Sequence, residues 1–162
     1  MHDDDPAETL MHLLRNEWDP TNTHDITPRV HTGWYDYGAG GQQVTITNPR
    51  EVPVNAGTGT TGWTAMGSGG RGVQLIAGEI DINTWPGTRD DTDVNPKALS
   101  SAMKNEVKRI LADHDHGIIN GEPVYNSLAP GPRRRFVDTE GPSAIYRWEV
   151  TAMYTYHDNR DN

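Results

Sequence analysis

Two segments of the chain repeat apolar residues at the three- and four-residue spacing of an amphipathic helix. The first predicts a helix over about residues 6–18, because Asp5–Glu8 combines an N-cap, a first-turn proline and a capping-box glutamate. The second predicts a helix over about residues 96–112, with Asn95 as its N-cap. The apolar positions are Leu10, Leu13, Leu14 and Trp18 in the first helix and Leu99, Met103, Val107, Ile110 and Leu111 in the second. Each helix therefore has one side to bury against another layer.

Alternating apolar and polar residues predict two long strands, over residues 73–85 and 145–156. The apolar positions are Ile76, Ile80 and Ile82 in the first strand and Tyr146, Trp148, Val150, Ala152, Tyr154 and Tyr156 in the second. In the first strand Glu79, Asp81 and Asn83 lie on the opposite face. We expect that strand to be half buried, with these polar residues toward solvent.

Two shorter β-prone runs, residues 30–37 and 43–47, flank the glycine-rich residues 38–41, which suits a β-hairpin. The order of elements is then helix, hairpin, long strand, helix and strand. Because each element has one apolar side, the natural packing is two helices on one face of a mainly antiparallel sheet. The sequence therefore predicts an α+β fold.

The remaining segments predict loops. Residues 48–72 and 113–143 are expected to be long loops, the first because it is too rich in glycine to pack a core, the second with a possible short strand at 124–128. Residues 1–5 and 157–162 are expected to be flexible ends. A chain of 162 residues suits a single domain, and we predict one.

The charge of the chain is strongly acidic, with 23 acidic and 14 basic residues and a formal net charge of −9. The acids are 15 Asp and 8 Glu, and the bases are 11 Arg and only 3 Lys. This bias resembles that of proteins from salt-accumulating haloarchaea. In molar salt the screening length falls to about 3 Å, so dense surface carboxylates repel one another weakly. An ordinary acidic protein is the alternative, since net charge bears on solubility and not on fold.

Composition also excludes several kinds of site. The chain has no cysteine, which excludes disulfides, thiolate metal sites and a cysteine nucleophile. No stretch approaches the roughly 20 apolar residues of a membrane span, and acidic residues stand near the start where a signal peptide would be basic. We expect a protein that does not contact a membrane and stays in the compartment that makes it.

All three lysines of the chain lie on the second predicted helix. The offsets of Lys104 and Lys108 from Lys97 are 7 and 11 residues, which places the three within about 40° of one another around the helix. This basic stripe could meet an acidic neighbouring subunit or a DNA phosphate backbone. The alternative is a solvated helix face in which Lys104 and Lys108 pair with local acids. The arginines Arg133, Arg134 and Arg135 allow the same two interpretations.

Catalytic and metal chemistry has weak support in the sequence. His114 and His116 alternate with aspartates just after the second helix, but adjacent residues there point in divergent directions. Glycine-rich residues 67–72 precede a strand, whereas a phosphate cradle needs its glycines between a strand and a helix. We expect no catalytic residues, no bound cofactor and no metal site, and therefore no enzyme.

The order of elements over residues 6–156 resembles the tail terminator, or tail completion, proteins of long-tailed viruses, and the acidic composition suggests a virus of haloarchaea. The resemblance implies a structural, non-enzymatic protein of the virion. It would form a ring, commonly of six copies, at the head-proximal end of the tail, after assembly in the host cytoplasm. Its partners would be itself, the tail tube protein and the head-tail connector, and DNA would pass through the bore without sequence-specific binding.

The resemblance also implies which regions meet neighbouring subunits. These are the glycine-rich residues 56–72 and the predicted loop 117–143, and the expected interface residues are Trp63, Met66, Arg71, Arg133, Arg134 and Arg135. An alternative is that both segments stay in solvent. Other possible functions are a different neck or tail component, such as a head-tail stopper, an adaptor or a tube subunit, and a nucleic-acid-binding module of a halophilic cell.

Overall fold

The computed structural model describes residues 5–54, 63–64, 73–88, 91–138 and 145–159. In chain order, the elements are α1 Pro6–Glu17, a 3-10 turn Pro20–Thr23, β1 Arg29–Thr32, β2 Gln43–Pro53, β3 Trp63–Thr64, β4 Val73–Trp85, α2 Pro96–Asp113, β5 Ile118–Ile119, β6 Glu122–Pro123, β7 Ser127–Asp138 and β8 Ile145–Asn159. The strands β1, β2, β4, β8 and β7 lie side by side in that order. β3 pairs with β4, and β5 and β6 form a separate two-stranded sheet.

Both helices begin at the residues that the sequence predicts. The Asp5 carboxylate accepts a hydrogen bond from Ala7 N at 2.9 Å, and the Asn95 side chain accepts one from Lys97 N at 3.0 Å. In each case a proline follows the cap, where its missing N–H costs nothing. The caps thus satisfy amide groups that the first helical turn leaves unpaired.

The two helices cover one face of the sheet. α1 packs against β1 and β2, and α2 packs against β8 and β7. The core between the layers includes Leu10, Leu14, Ile46, Ile80, Ile82, Leu99, Met103, Val107, Val150 and Ala152. Burying each of the larger aliphatic side chains contributes about 1.5–3 kcal/mol. The predicted α+β fold, with a mainly antiparallel sheet and two helices on one face, is confirmed.

The predicted hairpin of residues 30–37 and 43–47 is wrong. β1 is short and runs parallel to β2, with Val30 opposite Val44. The ten residues between them carry the chain back to the same end of the sheet, and Gly33, Gly40 and Gly41 have positive φ angles of 104°, 62° and 71° there. Apolar alternation indicates which face of a strand is buried, but it carries no information on whether its neighbour runs parallel or antiparallel.

Both predicted long loops contain strands. β2 continues to Pro53, past a bulge at Asn48, so residues 48–53 belong to the sheet. Within 113–143, β7 is a twelve-residue strand at the sheet edge, and the possible strand at 124–128 overlaps only its start. Both strands contain prolines, which in a sequence usually indicate a loop. Proline is excluded from central strands but is tolerated at sheet edges and bulges, where these prolines lie.

The predicted ends differ from the structure at both ends of the chain. Asp5, which is expected in the flexible segment 1–5, caps α1 through the hydrogen bond from Ala7 N. β8 continues to Asn159, three residues beyond the predicted end of the strand, and pairs there with Val73 of β4. The expectation that 157–162 is a flexible end is therefore wrong for residues 157–159. The predicted flexibility of residues 1–4 and 160–162 concerns residues outside those that the structure describes.

Candidate interaction surfaces

The lysine stripe of α2 lies beside the edge strand β7. Lys104 Nζ stands 4.1 Å from the centroid of the Trp148 ring in β8, a cation–π contact. Trp148 is on the helix-covered face of the sheet, because it alternates in step with the core residues Val150 and Ala152. Its strand neighbour in β7 is Arg135. The Trp148 ring thus holds the Lys104 ammonium near the arginine segment.

A bulge in β7 decides which arginines join the lysines. Pro130 lies opposite Ala152 and Arg133 lies opposite Val150, so β7 has one more residue than β8 between these pairs. This insertion directs Arg133 and Arg135 to the helix side and Arg134 to the other side. Arg134 pairs there with Glu149 at 2.8 Å.

Glycine is required inside this bulge. A Cβ added to Gly131 would lie 2.8 Å from Met153 Sδ and 2.9 Å from the Thr151 carbonyl oxygen. Because the carbonyl belongs to the neighbouring backbone, it has little freedom to move away. The bulge, and with it the direction of the arginines, therefore depends on the absence of a side chain at this position.

Lys104, Lys108, Arg133 and Arg135 form a surface that we term the basic patch. Burial lowers the pKa of Lys104 below its ordinary value, and the positive charges of Lys108 and Arg133 lower it further. Among the side chains that the structure describes, no carboxylate lies within 4.0 Å of any of the four cations. The patch therefore gathers positive charge that the described part of the chain leaves without a counter-ion.

The alternative interpretation of the lysines requires nearby acids on α2 to pair with Lys104 and Lys108. Glu106 does not form such a pair. This glutamate is buried and accepts hydrogen bonds from Arg109, from Asp19 N at 2.9 Å and from Asn22 Nδ2 at 2.8 Å. Burial alone would raise the pKa of Glu106, but these bonds and the Arg109 charge hold it below its ordinary value. Arg109 also donates to the Glu17 carbonyl oxygen at 2.8 Å, so the pair ties α2 to the end of α1.

The sheet face away from the helices carries a network of polar side chains. From the sequence, polar residues of this face, including Asp81, are expected to point to solvent. Asp81 is buried and accepts hydrogen bonds from both terminal nitrogens of Arg50, at 3.1 and 3.2 Å, and from Thr151 Oγ1 at 3.2 Å. Burial alone would raise the Asp81 pKa, but Arg50 holds it below its ordinary value. The bulge at Asn48 is what turns Arg50 to this face.

At one end of this face, the cationic side chain of Arg147 packs among aromatic rings. The Arg147 guanidinium carbon lies 5.1 Å from the ring centroids of Trp34 and Trp85 and 4.0 Å from that of Phe136. Arg147 Nη1 also donates to Asn83 Oδ1 at 2.6 Å. Arg147 anchors the loop that carries Trp34 to the sheet, a role that the sequence did not indicate.

Next to Arg147, the loop between β1 and β2 presents aromatic side chains to solvent. Trp34 is 50% exposed and Tyr37 is 58% exposed, while Tyr35 between them is buried against Trp85. We term Trp34 and Tyr37 the aromatic knob. Half-exposed aromatic side chains of this kind are enriched where proteins bind one another.

At the other end of the same face lies an open apolar groove of about 530 Å³. Its apolar walls are Val52, Ala77, Ala129 and Met153, of which Val52 is 61% and Met153 43% exposed. Arg50 and Glu79 border it and form an ion pair at 3.2 Å. From Ala77 to Trp85, eight residues of β4 separate the groove from the knob by about 26 Å.

Comparison with known proteins finds no family model and no curated protein that matches the chain. The surfaces are therefore interpreted from their geometry. Neither helix of the described residues is long and apolar enough to cross a membrane.

The histidines after α2 do not form a shared site. His114 Nδ1 lies 2.8 Å from the Ile110 carbonyl oxygen, and His116 Nδ1 lies 3.4 Å from Asp115 Oδ1. Within the described ranges, no three His, Asp or Glu side chains converge as ligands of a metal ion. The two rings therefore serve different local contacts.

The predicted interface residues have different outcomes. Trp63 lies in β3, where its backbone pairs with Gln74, and Met66 and Arg71 fall outside the described residues. Lys97 is exposed on the first turn of α2, on the same side of the helix as Lys104. The knob, the groove and the role of Trp148 were missed, since each is assembled from residues far apart in the chain.

Proposed function

We propose that this protein is a structural subunit of a ring at the head-proximal end of a viral tail. The observation that supports the ring is the placement of the aromatic knob and the apolar groove at opposite ends of one sheet face. Two different surfaces that fit each other make a head-to-tail contact, which closes into a ring when the rotation between copies allows it. A self-complementary patch would instead stop at a dimer.

Charges flank the two surfaces in a complementary way. Beside the knob, Arg29 and Asp36 form a half-exposed ion pair at 2.9 Å. Beside the groove, Arg50 and Glu79 form a second half-exposed pair. In a head-to-tail contact each arginine can face the carboxylate of the other copy, which favours one orientation of the neighbouring subunit.

The place of the ring in a virion rests on the resemblance of the sequence, in its order of elements over residues 6–156, to tail terminator proteins and on the acidic composition. In this proposal six copies cap the tail tube, end its growth and join it to the head-tail connector, and DNA passes through the bore. The subunit assembles in the host cytoplasm and carries out no reaction.

The oligomeric state of the purified chain tests the ring. We expect isolated closed rings by negative-stain microscopy, and light scattering should give a mass of about six subunits. Extended tubes would instead favour the tail tube alternative. A chain that stays monomeric at high concentration in both low and molar salt would contradict the proposal.

Charge substitutions in the two surfaces test how the ring closes. Tyr37→Glu in the knob and Met153→Glu in the groove should each abolish rings. When mixed, the two variants should pair through the one contact that remains intact and give a dimer. The matched control is Ile118→Glu, which places a charge at an exposed apolar residue of β5 that belongs to neither the knob nor the groove lining and should leave rings unchanged.

The role in a virus needs a separate test, because a ring alone does not identify a tail. Deleting the gene from its virus should leave tails of irregular length that are not joined to full heads. Normal virions from the deletion strain would refute this role while leaving the ring itself intact.

A further inference from the structure

We propose that the basic patch binds the phosphate backbone of double-stranded DNA without reading its sequence. The patch joins two cations of α2 with two cations of β7, on the helix-covered side of the sheet edge. All four residues of the patch belong to one chain, so this inference does not depend on whether the protein forms a ring.

The first support is that no described acid pairs with the patch. The chain carries a formal net charge of −9, yet none of the described carboxylates pairs with the four cations of the patch. Acids of α2 that could have done so are engaged elsewhere, since Glu106 and Asp113 both bind Arg109. A polyanion is the ligand that such a surface fits, because these positive charges have no acidic partner among the described side chains.

The spacing of the cations is the second support. Arg133 and Arg135 are two residues apart on a strand, or about 6.7 Å, and Lys104 and Lys108 are one helical turn apart, or about 6 Å along the axis. The result is two short rows of two charges each, with a spacing of about 6–7 Å within each row. A backbone that repeats its negative charge at fixed intervals meets both rows, whereas an isolated carboxylate would meet only one cation.

The position of Trp148 favours duplex DNA over single strands. Proteins that bind single-stranded nucleic acid stack bases on exposed aromatic rings. Here Lys104 covers the Trp148 ring at 4.1 Å, so this ring positions an ammonium group and does not offer a free face to a base. Contacts limited to phosphates carry no direct sequence information.

The expected strength follows from counter-ion release. Four phosphate contacts give a slope of about −3.6 for the logarithm of the binding constant against the logarithm of the salt concentration. A tenfold rise in salt should therefore weaken binding about 4,000-fold. In molar salt such contacts are short-lived, which would let DNA move past the patch.

Fluorescence anisotropy of the full chain with a labelled 20-base-pair duplex of arbitrary sequence tests the proposal, at several salt concentrations from 0.1 M upward. Removing two of the four contacts with Arg133→Ala and Arg135→Ala should reduce the slope by about 1.8. At 0.1 M salt the loss of affinity should be about 60-fold.

The matched control removes the same charge elsewhere. Arg15→Ala combined with Arg134→Ala also deletes two exposed arginines, but both lie outside the patch. Arg15 donates to the Val30 carbonyl oxygen at 2.9 Å, and Arg134 pairs with Glu149 at 2.8 Å. We expect its slope to equal that of the unchanged chain. Circular dichroism at each salt concentration verifies that all variants are folded.

Two results would overturn the inference. The first is the absence of duplex binding by the folded chain at 0.1 M salt, and the second is an equal loss of affinity in both double variants. If the first result comes with loss of self-association of the Arg133 and Arg135 variant by light scattering, the partner of the patch is an acidic protein surface and not DNA.

Discussion

The centre of β4 offers the sharpest test of how the sheet is packed, through the substitution Gly78→Ala. Gly78 stands between Glu51 of β2 and Tyr154 of β8 in the strand register. The Tyr154 ring lies across it, and the Tyr154 hydroxyl donates a hydrogen bond to Glu51 Oε1 at 2.7 Å. A Cβ on residue 78 would overlap Cζ and Cε2 of the ring and lie 2.6 Å from the hydroxyl oxygen.

The cost of this substitution has two parts. Displacing the buried Tyr154 ring is an overpacking change of about 1–3 kcal/mol. The ring cannot move without losing its bond to the Glu51 carboxylate, and a hydrogen bond to a charged group contributes about 1.5–3 kcal/mol. Because Glu51 is exposed and water can replace the tyrosine, we take the lower end of the second range. We expect the free energy of unfolding to fall by about 2.5–4.5 kcal/mol.

Urea unfolding followed by tryptophan fluorescence measures this loss. Tyr154→Phe isolates the hydrogen bond, because it removes only the hydroxyl. In a Tyr154→Leu background the ring is absent, so Gly78→Ala should cost less than about 0.5 kcal/mol, and the coupling between the two sites should exceed about 1.5 kcal/mol. An equal cost of Gly78→Ala in both backgrounds would refute the packing argument.

Three further predictions concern buried charges. Glu106→Gln should cost about 1.5–3 kcal/mol in urea unfolding, because it removes the charge of a buried hydrogen-bond acceptor while Arg109 keeps Asp113 as a charged partner. Asp113→Asn at the exposed end of the same network should cost less than about 1 kcal/mol. The stability of the fold should also decrease in acid. The pKa values of Asp81 and Glu106 lie below their ordinary values of about 4. The two carboxylates therefore stabilise the folded state fully above that pH, and this contribution is lost as the pH drops through the folded-state pKa values. A thermal-unfolding series should show this loss reduced in the Glu106→Gln variant. Arg147→Leu should cost about 1–3 kcal/mol and change the near-ultraviolet circular dichroism of the tryptophans that it contacts, whereas an unchanged spectrum would contradict the cation–π contacts.

The acidic composition bears on the salt concentration at which the proposed ring would form. With a net charge of −9 per chain, bringing six copies together in dilute salt accumulates repulsion. At molar salt the screening length is about 3 Å, so the repulsion is weak while apolar burial is retained. If the knob and groove join the subunits, rings should therefore be more stable in molar than in dilute salt.

The sequence by itself determined the two helices and the two long strands. Their caps and periodicities involve residues within one or two turns of each other, such as Asp5 with Ala7 and Asn95 with Lys97. Alternation likewise identified the buried faces of β4 and β8. From these elements the α+β class followed, because one-sided elements have few ways to bury their apolar surfaces.

Only the tertiary structure decided which strands pair, in which direction and with which face. The parallel β1–β2 pair, the edge strand β7 and the bulge near Gly131 depend on partners more than ten residues away. A one-residue bulge moves every later side chain to the opposite face, and no local pattern of the chain reveals it. That is why Arg133 and Arg135 lie beside the α2 lysines while Arg134 does not, and why the buried Asp81 looked exposed from the sequence alone.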